Sequence, residues 1–371
     1  MRRLLPLVVL AAALLAGQPV RAALAPREPA RPLLVGDGER LLVLAPHPDD
    51  ESLGAGGLVQ AVLSRGGTVR VVTFTAGDGF APAVWLLGDN PSRHGAFLDL
   101  GVRRLAEERA ALWALGGDAI RFDDLGFPDG GLGALLDAHF ERGAPLRSTT
   151  TGESRVPYAD AFRPGTPYTG QDLRDLLVGV LRDMHPTLVA LPDPADQHPD
   201  HAATGEFGLL ALVTAEAASP AAGPQAIHPR VLSYVVHWHD HPEGWKTGHD
   251  EKTAARPLAL PADFPTRGLA PVALVLTHDQ IARKRAALAC HASERRVMGA
   301  YLDGFVRATE PYLLWDTGAV RAAVAARAKQ RSITPKASLP TAPPASAAPP
   351  QAPRRPAGAK DAAPRVELPS S

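Results

Sequence analysis

Leu41-Leu42-Val43-Leu44-Ala45-Pro46-His47-Pro48-Asp49-Asp50-Glu51 joins a wholly apolar run to a proline-punctuated cluster of one imidazole and three carboxylates. The run from Leu41 to Ala45 has the character of a strand buried on both faces. Ser52 to Leu63 follows with helical spacing, its Leu53, Leu58, Val59 and Val62 sharing a face that suits a sheet. The charged cluster therefore falls where a buried strand ends and a helix begins.

The same alternation continues outward. Thr68 to Thr75 is rich in β-branched residues and predicts the next strand. Phe97 to Leu115 predicts an amphipathic helix stopped by Gly116-Gly117, with a short strand from Ile120 to Phe122. Leu173 to Met184 predicts a helix ending at His185-Pro186, and Thr187 to Leu191 a strand. Arg230 to Val236 and Val272 to Leu276 add candidate strands, and Thr277 with Gln280 forms a capping box opening the last clear helix. Strands alternating with helices imply an α/β protein, a three-layer α/β/α fold with a mostly parallel, Rossmann-like sheet. Residues 127 to 169 show little periodicity, and a loop that long is functional or mobile.

The ends differ from the middle. Arg2 and Arg3, the apolar stretch Leu4 to Gly17 and Val20-Arg21-Ala22 resemble an export signal with its cleavage site, so residues 1–22 are read as a signal peptide. The expected setting is exported, periplasmic or secreted, with an uncleaved anchor as the alternative and no transmembrane domain in the mature form. Residues 23–38 are read as a linker, 39–318 as the catalytic domain and 319–371 as a mostly disordered tail rich in proline and alanine. Among 371 residues the formal net charge is zero, and no stripe of Lys and Arg interleaved with aromatics is present, which argues against a nucleic-acid partner. Cys290 is the only cysteine, so no internal disulfide supports the fold. Oligomeric state is not legible.

Three carboxylates at the end of a core strand need a compensating cation. His47 and Asp50, three apart through a tight turn, both reach one ion, which leaves Asp49 free to act as a base on water. A second stretch, Gln197-His198-Pro199-Asp200-His201, also follows a predicted strand and precedes a helix. Strand-end loops of a parallel sheet converge on one edge, so its histidines complete the set of three protein ligands that catalytic zinc takes. Either stretch alone also suits a capped turn; the pair at strand ends of one pattern does not.

The chain resembles the PIG-L/LmbE-like N-acetylglucosaminyl deacetylase family. Its A-H-P-D-D-E motif appears as Pro46-His47-Pro48-Asp49-Asp50-Glu51, with proline replacing alanine, and its H-P-D-H motif as His198 to His201. Arg104, Glu107, Leu115-Gly116 and Leu125-Gly126-Phe127-Pro128-Asp129-Gly130 match a helix and an L-G-x-P-D-G segment. Lys284, Ala287, His291 and Ser293 echo a K-x-x-A-x-x-x-H-x-S pattern, with Glu294 where glutamine is common. The match covers roughly residues 39 to 300. It implies removal of acetyl groups from an N-acetylated sugar or glycan by one zinc-type ion, other divalent metals being possible. It implies His47, Asp50 and His201 as metal ligands and Asp49 as general base. It gives His198, oriented by Asp200, to the oxyanion or the leaving amine, and Arg104 and Asp129 to the sugar hydroxyls. Two rivals stay open: an amidase for a non-sugar N-acyl compound, and a non-catalytic carbohydrate-binding relative.

Other residues are set lower. Glu51 suits the helix dipole rather than catalysis. His237, His239 and His241 alternate, so a second metal site competes with a plain rim loop, and His237 is placed at the pocket wall. Trp238 and Trp245 are candidates to stack on a sugar or to cover core. His291 is read as packing and Cys290 as a buried thiol, and the missing G-x-S-x-G elbow disfavours a serine hydrolase.

Overall fold

The computed structural model describes residues 29–219, 227–247 and 250–333. In chain order the first half contains β1 (Arg31–Pro32), β2 (Arg40–Ala45), α1 (Asp50–Ser64), β3 (Thr68–Thr75), α2 (Ala81–Leu86), α3 (His94–Gly116), β4 (Ile120–Phe127) and α4 (Leu132–Leu136). Next come α5 (Gly170–Met184), β5 (Leu188–Pro192), α6 (Pro199–Ala217), β6 (Arg230–Tyr234) and α7 (Glu251–Ala254). The last elements are β7 (Ala270–Val275), α8 (His278–Cys290), α9 (Ala292–Asp303), β8 (Thr309–Trp315) and α10 (Thr317–Ile333).

The strands form one 8-stranded sheet in the order β1-β7-β8-β6-β5-β2-β3-β4. Pairing is parallel except where β8 runs antiparallel to β6 and β7. β2 sends its chain to β3 on one side, while β5 pairs on its other side through Leu41↔Leu188 and Val43↔Ala190. Chain order reverses there, so the crevice beyond the carboxyl ends of β2 and β5 is the natural ligand position.

Side chains alternate across β2 as a strand requires. Leu41 and Val43 enter a core with Leu53, Leu58 and Val62 of α1 and Ala287 and Leu288 of α8. Leu42 and Leu44 enter the opposite core with Leu173 and Leu177 of α5 and Phe207 of α6. The three expected layers follow. Gly54 of α1 lets this packing close, since a Cβ there would lie 2.3 Å from the Tyr234 ring. The capping box also forms, Thr277 N donating to Gln280 Oε1 at 2.9 Å and Gln280 N to Thr277 Oγ1 at 3.2 Å.

Both inner limits of the expected domain are too narrow. β1 lies in the supposed linker, pairs with β7 through Arg31↔Val272, and leads Leu33 and Val35 into the core. At the other end α10 carries Val320 into the core beside α6 and continues to Ile333, so residues 319–333 are helix rather than tail. The expected signal segment and residues 334–371 lie outside the described residues. Phe127 ends β4, and residues 128–169 then contain only α4 as a regular element, yet turns brace them, Leu146 N donating to Tyr168 O at 2.9 Å and Val156 N to Thr166 O at 2.9 Å. No described helix is long and apolar enough to cross a membrane.

Candidate active site

The turn after β2 is held from β3, where the Thr75 backbone N–H and hydroxyl both donate to Pro46 O at 3.0 Å. Asp49 then takes φ 116°, a left-handed conformation disfavoured for any residue with a Cβ. Backbone held this way persists only when its surroundings over-determine it. Here Asp49 N donates to Glu51 Oε2 at 3.1 Å, and Asp49 O accepts Leu53 N at 2.9 Å in the first turn of α1. Glu51 is fully buried in that N-terminal carboxylate role, as expected.

Arg104 of α3 braces the turn from the other side. Its guanidinium donates to Gly77 O at 2.9 Å and Pro48 O at 2.8 Å, and lies 3.0 Å from Glu294 and 3.6 Å from Asp49. Expected against sugar hydroxyls, Arg104 lines the cleft but directs its hydrogen bonds to the Gly77 and Pro48 carbonyls.

The second stretch follows β5. His198 is the N-cap of α6: its Nδ1 accepts Asp200 N at 3.3 Å, and its own N–H donates to Asp196 Oδ1 at 2.9 Å. Asp196 Oδ2 accepts the N–H groups of Val236 at 2.9 Å and His237 at 3.0 Å, and lies 3.6 Å from His201 Nδ1. Sequence reasoning missed Asp196, which stands in the loop between β5 and α6, past the strand end at Pro192. The expected orientation of His198 by the Asp200 carboxylate is corrected: only the Asp200 backbone N–H reaches that ring. The carboxylate is taken by Gly130 N at 2.6 Å and Leu132 N at 3.0 Å, and it lies 3.5 Å from His47 Nε2.

The two stretches meet at Asp50. Its Oδ2 lies 3.1 Å from His47 Nδ1 and 3.2 Å from His201 Nε2. Donor atoms of His47, His198 and His201 all fall within 4.8 Å of one another, as do those of Asp50, His201 and His237, and of His47, Asp129 and Asp200. His201 is wholly buried, and neither ring nitrogen has a hydrogen bond. A buried polar atom without a partner is costly, and nitrogen and carboxylate donors crowded in this way suit a divalent cation. His47, Asp50 and His201 each belong to one or more of these groups, with Asp50 lying between the two imidazoles, so their donor chemistry suits a cation; His237 brings a fourth imidazole to the cluster.

Burial raises Asp49 well above the usual carboxylate range, helped by Asp50 and Glu294 and opposed by Arg104. Burial would also raise Asp50, but the imidazoles of His201 and His47 hold it well below. Burial, with the neighbouring imidazoles, pushes His198 down to about 3 and His237 to about 2, keeping both rings neutral. Asp129 is held low despite burial by His47 and Arg104; its Oδ2 accepts Gly79 N at 2.7 Å, and its Oδ1 lies 3.2 Å from His47 Nε2.

These groups line a cleft of about 390 Å³ whose other walls include Phe80, Thr149, Thr150, Met298 and Tyr301. His237 stands at that wall, its ring 4.6 Å from His201 and its Nδ1 3.3 Å from Tyr301 Oη. The alternating histidines do not converge, because β6 ends at Tyr234 and His239 turns at φ 48°. His239 faces Asp263 at 3.4 Å, while His241 is buried against Phe305. Trp238 packs on Phe264 and Trp245 edge-on to Tyr301, so both cover core. His291 is buried, and Cys290 is half-buried rather than buried.

Over 270 residues the chain is 30% identical to a 1D-myo-inositol 2-acetamido-2-deoxy-alpha-D-glucopyranoside deacetylase of Tsukamurella paurometabola, covering 70% of this chain and 84% of that one. The family profile described as PIG-L, GlcNAc-PI de-N-acetylase, matches residues 42–212, a span that holds both motif stretches. The chain belongs to the PIG-L family. A diacetylchitobiose deacetylase of Thermococcus kodakarensis is 26% identical to this PIG-L protein over 179 residues, covering 47% of this chain and 50% of that one. A solved N,N'-diacetylchitobiose deacetylase from Pyrococcus horikoshii gives a TM-score of 0.45 at 18% identity, covering 75% of this chain and 84% of that one.

Proposed function

We propose that this PIG-L protein is a metal-dependent hydrolase that removes the N-acetyl group of an amino sugar, with one zinc ion held by His47, Asp50 and His201. The observation that carries this reading is the wholly buried His201, with neither ring nitrogen hydrogen-bonded, joined through Asp50 to His47 beside Asp49. A divalent ion held there would supply Lewis-acid chemistry, lowering the pKa of water from about 15.7 toward ~7 and polarising the acyl carbonyl. Asp49, raised by burial and fixed by Arg104, accepts the water proton. His198 is neutral, and because its Nδ1 accepts a backbone N–H, its own proton sits on Nε2. That N–H faces the cleft as a donor to the oxyanion that develops when water adds to the acyl carbon. The C–N bond then breaks, and the amine leaves with the proton that Asp49 had taken. Asp129, anchored by Gly79, accepts a hydroxyl of the sugar.

The names of the relatives support the sugar class, and the histidine and aspartate donors support zinc. The setting we propose is outside the cytoplasm, supported by Arg2-Arg3, the apolar Leu4 to Gly17 and Val20-Arg21-Ala22, all outside the described residues. Chelation followed by zinc re-addition tests the reading on N-acetylglucosamine oligomers. Acetate release that stops and returns supports it. Tight metal binding without release from any oligomer points to a non-sugar acyl substrate or a non-catalytic binder.

A further inference from the structure

The cleft has a rim that the chemistry above does not use. Thr149 and Thr150 line it from the turn 148–152, which braces itself: Gly152 N donates to Ser148 O at 3.1 Å and Thr151 N to Ser148 Oγ at 3.2 Å. Among the described hydrogen bonds, the one tying this turn to α3 joins His94 Nδ1 to the Thr150 carbonyl. Gly152, at φ 73°, lies against the same ring, where an added Cβ would meet His94 at 3.1 Å. Only a glycine seats there without strain. Phe80, on the same rim, packs with Phe97 and Leu100 of α3.

Position along α3 separates this rim from the reacting centre. Arg104 stands 3.6 Å from Asp49. His94 lies ten residues earlier, about 15 Å along the helix axis. A group held at the rim therefore belongs to a part of the substrate beyond the ring that carries the amide. Thr149 is exposed, and its hydroxyl has no hydrogen bond among the described residues. A hydroxyl that both donates and accepts, in a cleft wall that also holds Phe80, suits a neutral polyhydroxylated ring.

We propose that Thr149 is a specificity-determining contact for a second sugar ring, and that His94 is the positioning residue that holds it there through Thr150. This rests on the amino-sugar reading of the same cleft. The test compares methyl N-acetyl-β-glucosaminide with its β1,4-linked dimer, by acetate release and by calorimetric binding, in the wild type and in His94→Ala, His94→Asn and Thr149→Val. An asparagine amide donates from nearly the place of the imidazole Nδ1. The expected result is a dimer KM about three- to tenfold higher in His94→Ala and Thr149→Val. Their kcat and monosaccharide KM stay unchanged, and His94→Asn restores the dimer KM. Amide exchange at Thr151 and Gly152 rises about tenfold in His94→Ala and not in His94→Asn. A wild type that prefers the dimer by neither KM nor binding overturns the proposal. So does a His94→Ala defect equal for both sugars, or one lying in kcat. Dimer-selective binding lost in Thr149→Val, with no acetate released from either sugar, would sink the deacetylase reading and leave this one standing.

Discussion

The Asp200 carboxylate accepts the Gly130 backbone N–H at 2.6 Å, tying the start of α6 to the turn that carries Asp129. A second bond, from Leu132 N at 3.0 Å, completes the clasp. Asp200→Ala leaves both N–H groups without their acceptor, so stability should fall by about 1–3 kcal/mol. The freed turn should also raise KM more than it lowers kcat, because Asp129 loses its place while Asp49 keeps its own. Denaturant unfolding and steady-state kinetics on one preparation check both effects. An unchanged KM would show that the clasp does not position Asp129.

Lys284 is wholly buried and donates to Glu310 at 2.7 Å and to Leu53 O at 2.8 Å. Glu310 also accepts from Gly57 N, Leu58 N and Tyr312 Oη, so α1, α8 and β8 share one ion pair. Removing one partner strands the other charge, which typically costs about 3–5 kcal/mol. Lys284→Met should be destabilised in that range, and Lys284→Met with Glu310→Gln by less than the single change. Equal losses would mean that packing, rather than the charge, sets the cost.

Much of the architecture is legible in the order of residues alone. β2 from Leu41 onward and β3 apart from Arg70 are apolar or β-branched because parallel strands are covered on both faces. The ends of β2 and its neighbour β5 expose the two motif stretches, which adjacent strand-end loops bring together at Asp50. What escaped has local reasons. β1 is two residues long and recognisable only by its pairing with β7. β8 carries Pro311, which argues against a strand inside a sheet, but that residue falls past the stretch paired with β6. The allegiance of Asp200 depends on a turn 70 residues away, and the role of Asp196 on where β6 delivers Val236 and His237. Spacing along the chain carries no trace of either.

Asp124 gives a pH-dependent prediction. Burial pushes its carboxyl up to about 7, partly offset by the Gly126 N–H and Arg109, and its Oδ2 has no partner. The folded chain therefore keeps a proton that the unfolded chain releases near pH 4. The stabilisation from this group is full below that pH, declines as pH rises and is lost once pH passes about 7. Asp124→Asn cannot ionise and should flatten this decline. Its stability relative to the wild type should be higher at pH 8 than at pH 5 by roughly 1–3 kcal/mol, each pKa unit being about 1.4 kcal/mol. Denaturant midpoints at the two pH values decide it; a gain no larger at pH 8 would contradict the assignment.

The most direct test of the central claim counts products from zinc-loaded wild type and Asp49→Asn acting on an N-acetylglucosamine oligomer. The account predicts acetate and free amine in equal amounts from the wild type. It predicts a turnover lower by about 10²–10⁴-fold in Asp49→Asn, with metal content unchanged because His47, Asp50 and His201 remain. Asp49→Asn turning over at the wild-type rate with full metal would contradict the assignment of Asp49 as the base, and with it the mechanism proposed for this cleft.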